Sequence, residues 1–393
     1  MPKISELVST GIKGLWGTET VSAERGIPVI KTNNLSYEGV IDYTDICYRD
    51  IPKDKAEKNY LQNGDILAEK SGGTKTHSVG YVSYFDGESN KFVCNNFILA
   101  LRPNSEKCLP KYLFYQMRYM YENGLFADCY NRTTGIQNLQ VGEYLGKNVK
   151  NPAIEEQEQA VSMLDAIVSQ IDNAKQRLLA LDELVKSRFI EMFTPFLSQQ
   201  KTLLDSLCET ITKGTTPTTL GFDFIDNGIN FIKIENISAS EKIDTTNMLH
   251  ISEECNIKLK RSILKENDIL FSIAGTKMGI TAKVTSDVLP ANTNQALAII
   301  RLKKEAKMNV DFLIELLHSD MIIEQIESMK STVAQTNLSL DNIKNFKVII
   351  PPISLQNEFA EFVKLIDKSK FIVQQQIKDL EELLDSKMDE YFR

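Results

Sequence analysis

Histidine and cysteine, the usual makings of metal centres, are scarce: three and six in 393 residues. The cysteines (Cys47, Cys94, Cys108, Cys129, Cys208, Cys255) form no CxxC pair, so neither a zinc site nor a disulfide framework is supported. His77, His250 and His318 have no ligand-like partner at helical spacing, so no metal site is expected. No apolar run reaches the length of a membrane span, and the start MPKISELVST lacks the basic and apolar regions of a signal peptide. A cytoplasmic protein without a membrane partner is expected.

Catalytic signatures are missing too. Asn151-Pro152-Ala153-Ile154 lacks the second proline and the aromatic of an adenine-methyltransferase loop. Gly-Thr-Lys occurs at 73–75 and again at 275–277, but without the glycine spacing of a phosphate-binding loop. Asp65 and Glu69 precede Lys70 without the single intervening residue of a nuclease pattern. Dinucleotide glycine motifs are absent. The sequence reads as a binder with no catalytic residue and no cofactor of its own.

What is present is a rod. Over residues 151–193 apolar positions recur at Ala160, Leu164, Ile167, Ile171, Ala174, Leu178, Leu181 and Val185, in steps of four and three. That is the seam of a coiled coil. Asn151 is placed to cap the helix and Pro152 to open it, with Glu155 and Glu156 at the positive end of its dipole. A second rod over 351–393 has its seam at Phe359, Val363, Ile366, Lys370, Val373, Ile377, Leu380 and Leu384. Pro152, Ile154, Gln157, Ser187 and Phe193 match Pro351, Ile353, Gln356, Ser386 and Phe392, each pair 199 positions apart. Lys370 interrupts the second seam where the first has Ile171; its head is expected to reach solvent.

The segments between the rods repeat as well. IPVIKTNNLS at 27–36 reads against INFIKIENIS at 229–238, NGDIL at 63–67 against ENDIL at 266–270, and NNFILALR at 95–102 against NQALAIIR at 294–301. The chain is therefore a tandem duplication of a mixed α/β domain followed by a helix. The fold class is α+β, with domains 1–150 and 199–350 and helices 151–198 and 351–393. Strands are expected at Pro28–Lys31, Asp65–Ala68, Val79–Tyr84 and Phe92–Leu101 and their repeats, and helices near Pro110–Tyr121 and Val310–Glu327. About ten residues join Phe193 to the second domain, a reach of roughly 35 Å, against a rod of ~60 Å. The helices should therefore pair antiparallel and hold the two domains at opposite ends with approximate two-fold symmetry.

The net charge of −8 argues against nucleic acid until it is divided. Residues 1–151 hold 18 Lys and Arg against 17 Asp and Glu, and residues 199–350 hold 17 against 19. Most of the excess acid lies on the rods, which permits DNA binding by the near-neutral globular parts. Two related but diverged domains on a rigid spacer suit a partner with two separated half-sites, as a DNA duplex offers.

The duplicated order I-x-x-I-K-x-x-N-[LI]-S, [NE]-[GN]-D-I-L, a Gly-Thr-Thr-Pro loop (Gly214–Pro217) and P-x-I-x-x-Q opening a heptad helix resembles the specificity subunit of type I restriction–modification enzymes. The first domain departs at Gly11–Thr18, where the Gly-Thr-Thr-Pro loop is not legible. The resemblance implies two target-recognition domains, each reading half of an asymmetric bipartite double-stranded DNA site. The helices would set the half-site spacing and dock two methyltransferase subunits. Those partners would bind S-adenosylmethionine, and restriction–translocase subunits would use ATP and Mg.

Polar loops should read base edges and bind phosphates. Candidates in the first domain are Lys70, Ser71, Thr74, Lys75, Thr76, Arg132, Thr133 and Gln137; in the second they are Lys213, Thr215, Thr216, Lys277, Lys283, Gln335 and Thr336. Asn34, Asn236, Asn138 and Asn337 recur in both halves and are expected to stabilise turns. The competing readings are a coiled-coil scaffold that never touches DNA, and a stand-alone DNA-binding regulator without a methyltransferase partner. The first leaves the two polar-looped domains unexplained; the second lacks a helix-turn-helix or a strongly basic helix.

Overall fold

The computed structural model describes the chain except residues 10, 20–25, 75–76, 134–135, 239–240, 276–277 and 333–336, together with the side chains of 132–133 and 330–332. Two compact units emerge: residues 1–176 with 374–393, and residues 177–373. Each takes part of both long helices, Ile154–Leu197 and Ile353–Phe392.

In unit 1 the central antiparallel sheet runs Val8–Ser9, Ile98–Pro103, Ile66–Glu69, Val82–Tyr84. In unit 2 it runs Cys208–Lys213, Leu297–Leu302, Ile269–Ser272, Thr281–Lys283. The register repeats: Ile66 faces Leu101 as Ile269 faces Ile300. The inner strands Ile66–Glu69 and Ile269–Ser272 are buried at every position, because both faces of the sheet are covered. A second sheet in each unit contains one parallel pair, Ile27–Ile30 with Val93–Cys94 and Ile229–Ile232 with Ala291–Thr293. The expected strand Phe92–Leu101 is thus two strands in two sheets. Asn95 Oδ1 accepts from Phe97 N (3.1 Å) and turns the chain between them.

The repeated motifs turn out to satisfy buried backbone. Asp65 of Asn-Gly-Asp accepts from Gln62 N (2.8 Å) and binds Arg102 through both oxygens; Asp268 does the same with Lys265 N and Arg301. Asn34 and Asn236 accept from Lys31 N and Lys233 N, closing the expected turns. Gln157 accepts from Leu109 N (2.8 Å) and donates to Pro152 O (2.9 Å), and Gln356 makes the matching bonds to Asn309 N and Pro351 O. One buried amide therefore fastens each long helix to its own globular unit.

The helices start two residues later than the prolines suggested. The central one begins at Ile154, and Asn151 accepts from Gln157 Nε2 instead of capping. In unit 1, Ala160, Leu164, Ile167 and Ile171 join one core with Leu384, Met388 and Phe392; Ile377 and Leu380 lie partly buried against it. In unit 2, Val185, Phe189 and Phe193 join Phe359, Val363 and Ile366, with Leu181 alongside. The start of each helix lies beside the end of the other, so they run antiparallel. Leu178 is half-buried and Val373 buried. Lys370 stays partly exposed and pairs with Asp182 at 2.5 Å, its head leaving the seam for a solvent-edge carboxylate on the facing helix.

The first late helix forms as Pro110–Glu122, but the second is broken into Val310–His318 and Asp320–Thr332. Ser319 is extended; its hydroxyl donates to Leu316 O (2.6 Å) and its carbonyl accepts from Ile322 N (2.9 Å), ending one helix and starting the next.

Candidate nucleic-acid interface

In unit 1 a three-stranded ribbon, Tyr130–Thr133, Ile136–Leu139, Ser71–Gly72, brings the 70–77 and 131–138 loops together. Ser71 Oγ donates to Asn138 Oδ1 (2.8 Å), so Asn138 ties the two loops. Thr74 N donates to His77 O (2.7 Å) and His77 N to Thr74 Oγ1 (3.0 Å), a tight turn on which Tyr37 stacks its ring 3.8 Å from that of His77. Gly73 sits at φ +71°, and a Cβ there would press on the Gln137 amide, so the turn requires glycine.

Gln137 is buried: its Oε1 accepts from Val79 N (3.1 Å) and its Nε2 donates to Thr74 O (3.3 Å). Both ends of its amide are engaged within the fold, so it supports the loop from below. Arg132 faces Gln137 in the strand register and Thr133 faces Ile136. Lys70 N donates to Phe97 O (2.7 Å), which sets the exposed Phe97 ring beside the ribbon. Lys75 and Thr76 lie outside the described residues.

In unit 2, Leu338 N donates to Ile273 O (2.9 Å) and Asn337 bridges Ala274, which ties residues 273–274 to 337–338. Lys277, Gln335 and Thr336 lie outside the described residues. Lys213 ends its strand, and its carbonyl accepts from Arg261 Nη2 (3.4 Å). Thr215 and Thr216 follow on a half-buried loop, where Thr216 N and Oγ1 both donate to Gln295 Oε1 (3.1 and 2.6 Å). Lys283 is not in the loop cluster: it ends a strand and pairs with Asp311 at 2.7 Å.

The first loop of unit 1, illegible in sequence, has the same backbone logic as its repeat. A Cβ on Gly214 would overlap the Thr293 carbonyl, and one on Gly14 would overlap the Asn95 carbonyl. Leu15 N donates to Cys94 O (2.7 Å) and Gly214 N to Asn294 O (3.1 Å). Gly14-Leu15-Trp16 therefore stands where unit 2 has Gly-Thr-Thr. The threonine chemistry is replaced by Trp16, with the Arg49 guanidinium 4.1 Å from its ring.

Below these loops, at matching ends of the inner strands, Glu69 Oε2 and Ser272 Oγ are buried without a partner among the described residues. Burial holds the Glu69 carboxyl above its ordinary range, against a bond from Gly73 N. Sequence reasoning missed Tyr37, Phe97, Arg261 and Gln295. Gln295 was within sight, since it is the second residue of a repeated motif that reads as strand.

No group of three or more metal-binding side chains occurs among the described residues, and no helix there is long and apolar enough to cross a membrane. All six cysteines are free thiols, and burial pushes Cys94 and Cys208 up to about 12. Two related units, each presenting a cluster of polar loops, define a class of internally duplicated proteins.

Comparison makes the class specific. The family model "Type I restriction modification DNA specificity domain" matches twice, over residues 6–183 and 200–382, and the chain belongs to that family. It is 26% identical over 242 residues to the type I restriction enzyme EcoBI specificity subunit of Escherichia coli, an alignment covering 54% of this chain and 50% of that one. The chain thus spans about half the length of this relative. It is 20% identical over 386 residues to the putative type I restriction enzyme MjaX specificity subunit of Methanocaldococcus jannaschii, covering 93% of this chain and 85% of the other. In fold it resembles the type I restriction–modification S subunit of M. genitalium, with a TM-score of 0.56 at 14% identity over 100% of this chain and 95% of that one. A chain from a type I R-M system solved for its assembly and conformational transition gives 0.55 at 16% identity, over 100% and 97%.

Proposed function

We propose that this chain is the non-catalytic DNA specificity subunit of a type I restriction–modification enzyme. The observation that carries the reading is the double match to the DNA specificity domain, one match for each unit with its polar loop cluster. Each unit reads one half of a bipartite duplex site. The two halves differ because the loops have diverged: Gly-Leu-Trp stands in one where Gly-Thr-Thr stands in the other. In unit 1 the contacts come from Lys70, Ser71, Thr74, Arg132 and Thr133, with Gln137 supporting them. In unit 2 they come from Lys213, Thr215 and Thr216, and Lys283 holds the strand to its helix. Lys75, Thr76, Lys277, Gln335 and Thr336 are further contacts that the sequence nominates. Lysine and arginine hold phosphates and fix register, while the hydroxyls and amides discriminate bases.

The long helices set the half-site spacing and dock two methyltransferase subunits, which supply S-adenosylmethionine and the methyl transfer. Restriction–translocase subunits join the same complex and supply ATP-driven work, and the assembly operates in the cytoplasm. The test is to sequence methylated adenines in cells with and without this chain, and with residues 199–350 exchanged for those of a relative. One half of the methylated motif should change while the other persists. Change in both halves, or no bipartite motif at all, would overturn the reading.

A further inference from the structure

The turn leading from the parallel strand into the central sheet occupies the same place in both units but carries different side chains. In unit 1 it is Asn95-Asn96-Phe97, and in unit 2 Asn294-Gln295-Ala296. Gln295 is exposed, yet its amide is not free to turn. Its Oε1 accepts from Thr216 N (3.1 Å) and from Thr216 Oγ1 (2.6 Å). A backbone N–H can only donate, so the oxygen must face the Gly-Thr-Thr-Pro loop and the amide nitrogen must face away from it.

That loop is itself fixed. Gly214 packs against the Thr293–Asn294 backbone, Pro217 is buried, and Thr219 Oγ1 donates to Thr216 O (2.7 Å). Nε2 has no hydrogen-bond partner among the described residues. The outermost polar group of this turn is therefore an anchored pair of N–H donors. Unit 1 offers a contrast, since Trp16 stands at the position of Thr216 and leaves Asn96 without this tether.

We propose that Gln295 is a specificity-determining residue of unit 2, reading one base of its half-site as a donor-only group. The proposal rests on the reading of the chain as a DNA specificity subunit. An unconstrained glutamine pairs with adenine by accepting from N6 and donating to N7. Here the accepting oxygen is already engaged by Thr216, so an adenine N6 amino group would meet no acceptor. Guanine presents two acceptors, N7 and O6, in the major groove and is the complementary edge. The Gly-Thr-Thr-Pro loop thereby acquires a role besides contact: it chooses which end of the glutamine faces the DNA.

The test uses the chain in complex with its methyltransferase subunits, S-adenosylmethionine and a duplex library randomised in both half-sites. Gln295→Ala should lower discrimination about tenfold at a single position of the unit 2 half-site and leave the other half-site as it was. Gln295→Glu keeps an oxygen on Thr216 and turns the second oxygen outward. It should shift the preferred base at that position from guanine to cytosine or adenine, whose amino groups donate. Thr216→Val keeps the backbone N–H but loses the hydroxyl bond and should relax the same position to a lesser degree. If both Gln295 variants keep the wild-type motif, or lower methylation evenly at every site, the assignment is overturned. A wild-type complex with no bipartite motif would instead defeat the specificity-subunit reading itself, so the two failures are distinguishable.

Discussion

In unit 1, Lys111 and Tyr115 of the helix Pro110–Glu122 hold Asp165 of the central helix at 2.9 and 2.6 Å. In unit 2 the matching positions carry Asp311, Glu315 and Lys364, so acid and base have changed places. Arg118, which donates to the Glu38 carbonyl (3.0 Å), is matched by His318, which faces the Glu241 carboxyl group at 3.2 Å and Thr281 Oγ1 at 3.0 Å. Beside these exchanges the groups that satisfy buried backbone persist unchanged: Gln157 and Gln356, Asn34 and Asn236, and the Asp–Arg pairs. Duplication tolerates any charge arrangement that remains paired near solvent. It does not tolerate the loss of a side chain on which buried amides depend.

The sharpest test of that difference is at the buried pairs. Asp65 and Asp268 are 1% and 0% exposed, and each binds an arginine and caps a loop amide. Replacing either with alanine should cost its own unit about 2–3 kcal/mol, because a partly buried guanidinium loses its carboxylate and a loop amide loses its acceptor. The units can be followed separately. Unit 1 holds all 13 tyrosines and the one tryptophan, so intrinsic fluorescence reports on it. Hydrogen exchange resolves unit 2. A loss in one unit and near-neutrality in the other would break the equivalence.

A smaller, conditional effect separates the units by pH. Burial, reinforced by Asp367, raises Glu315 to about 7; burial, reinforced by Glu315 and Asp367, raises Glu241 to about 8. Both folded values lie above the ordinary carboxylate value. Their contribution to stability is therefore complete below pH ~4.5 and is lost as the pH rises through 7 and 8. Burial depresses His318 to about 4, so its contribution is present above pH ~6.5 and is lost as the pH falls through 4. Unit 2 should lose stability between pH 5 and 8, and Glu315→Gln should flatten that slope and stabilise it at pH 8. Unit 1 has Tyr115 at this position, and its raised carboxyl is Glu69, so whatever slope it shows should be unmoved by the Glu315 substitution. Hydrogen exchange of unit 2 across the range checks the sign; an unchanged slope in the variant would reject the assignment.

Much of this architecture was legible because it is written in periodicity. The seam from Leu164 to Val185, its copy from Val363 to Leu384, and the repeated Ile-Leu strands follow from burial on one stripe or face, which local spacing encodes. The loop clusters were legible as polar stretches at matching places, but their pairing in space, Ser71 against Asn138 and Gly72 against Gln137, was not. What failed was anything set by long-range backbone approach. Gly14 gave no local signal, because its need for glycine comes from Asn95, which is remote in sequence. Gln137 read as a surface amide until the fold buried it beneath Thr74. Gln295 read as part of a strand, although the chain turns there and leaves its amide on the surface. Lys283 read as a loop cation because its partner Asp311 comes from another element. A spacing rule sees neighbours along the chain, whereas these four residues are defined by neighbours across it.

The exchanged ion pair permits the mildest test. Lys111→Asp together with Asp165→Lys would give unit 1 the polarity of unit 2 at this junction. Each single change places like charges together, and each should destabilise unit 1, with Lys111→Asp also confronting the Tyr115 hydroxyl with two carboxylates. The double variant restores attraction but forfeits the Tyr115 bond to Asp165, worth about 1 kcal/mol. Both charged groups are more than a third exposed, so the coupling energy in the cycle should be about 0.5–1 kcal/mol. Added salt should lower it further. Strict additivity of the two single changes would show that the junction is held by packing and the tyrosine alone. The reversal of charge between the units would then be drift, with no pairing preserved behind it.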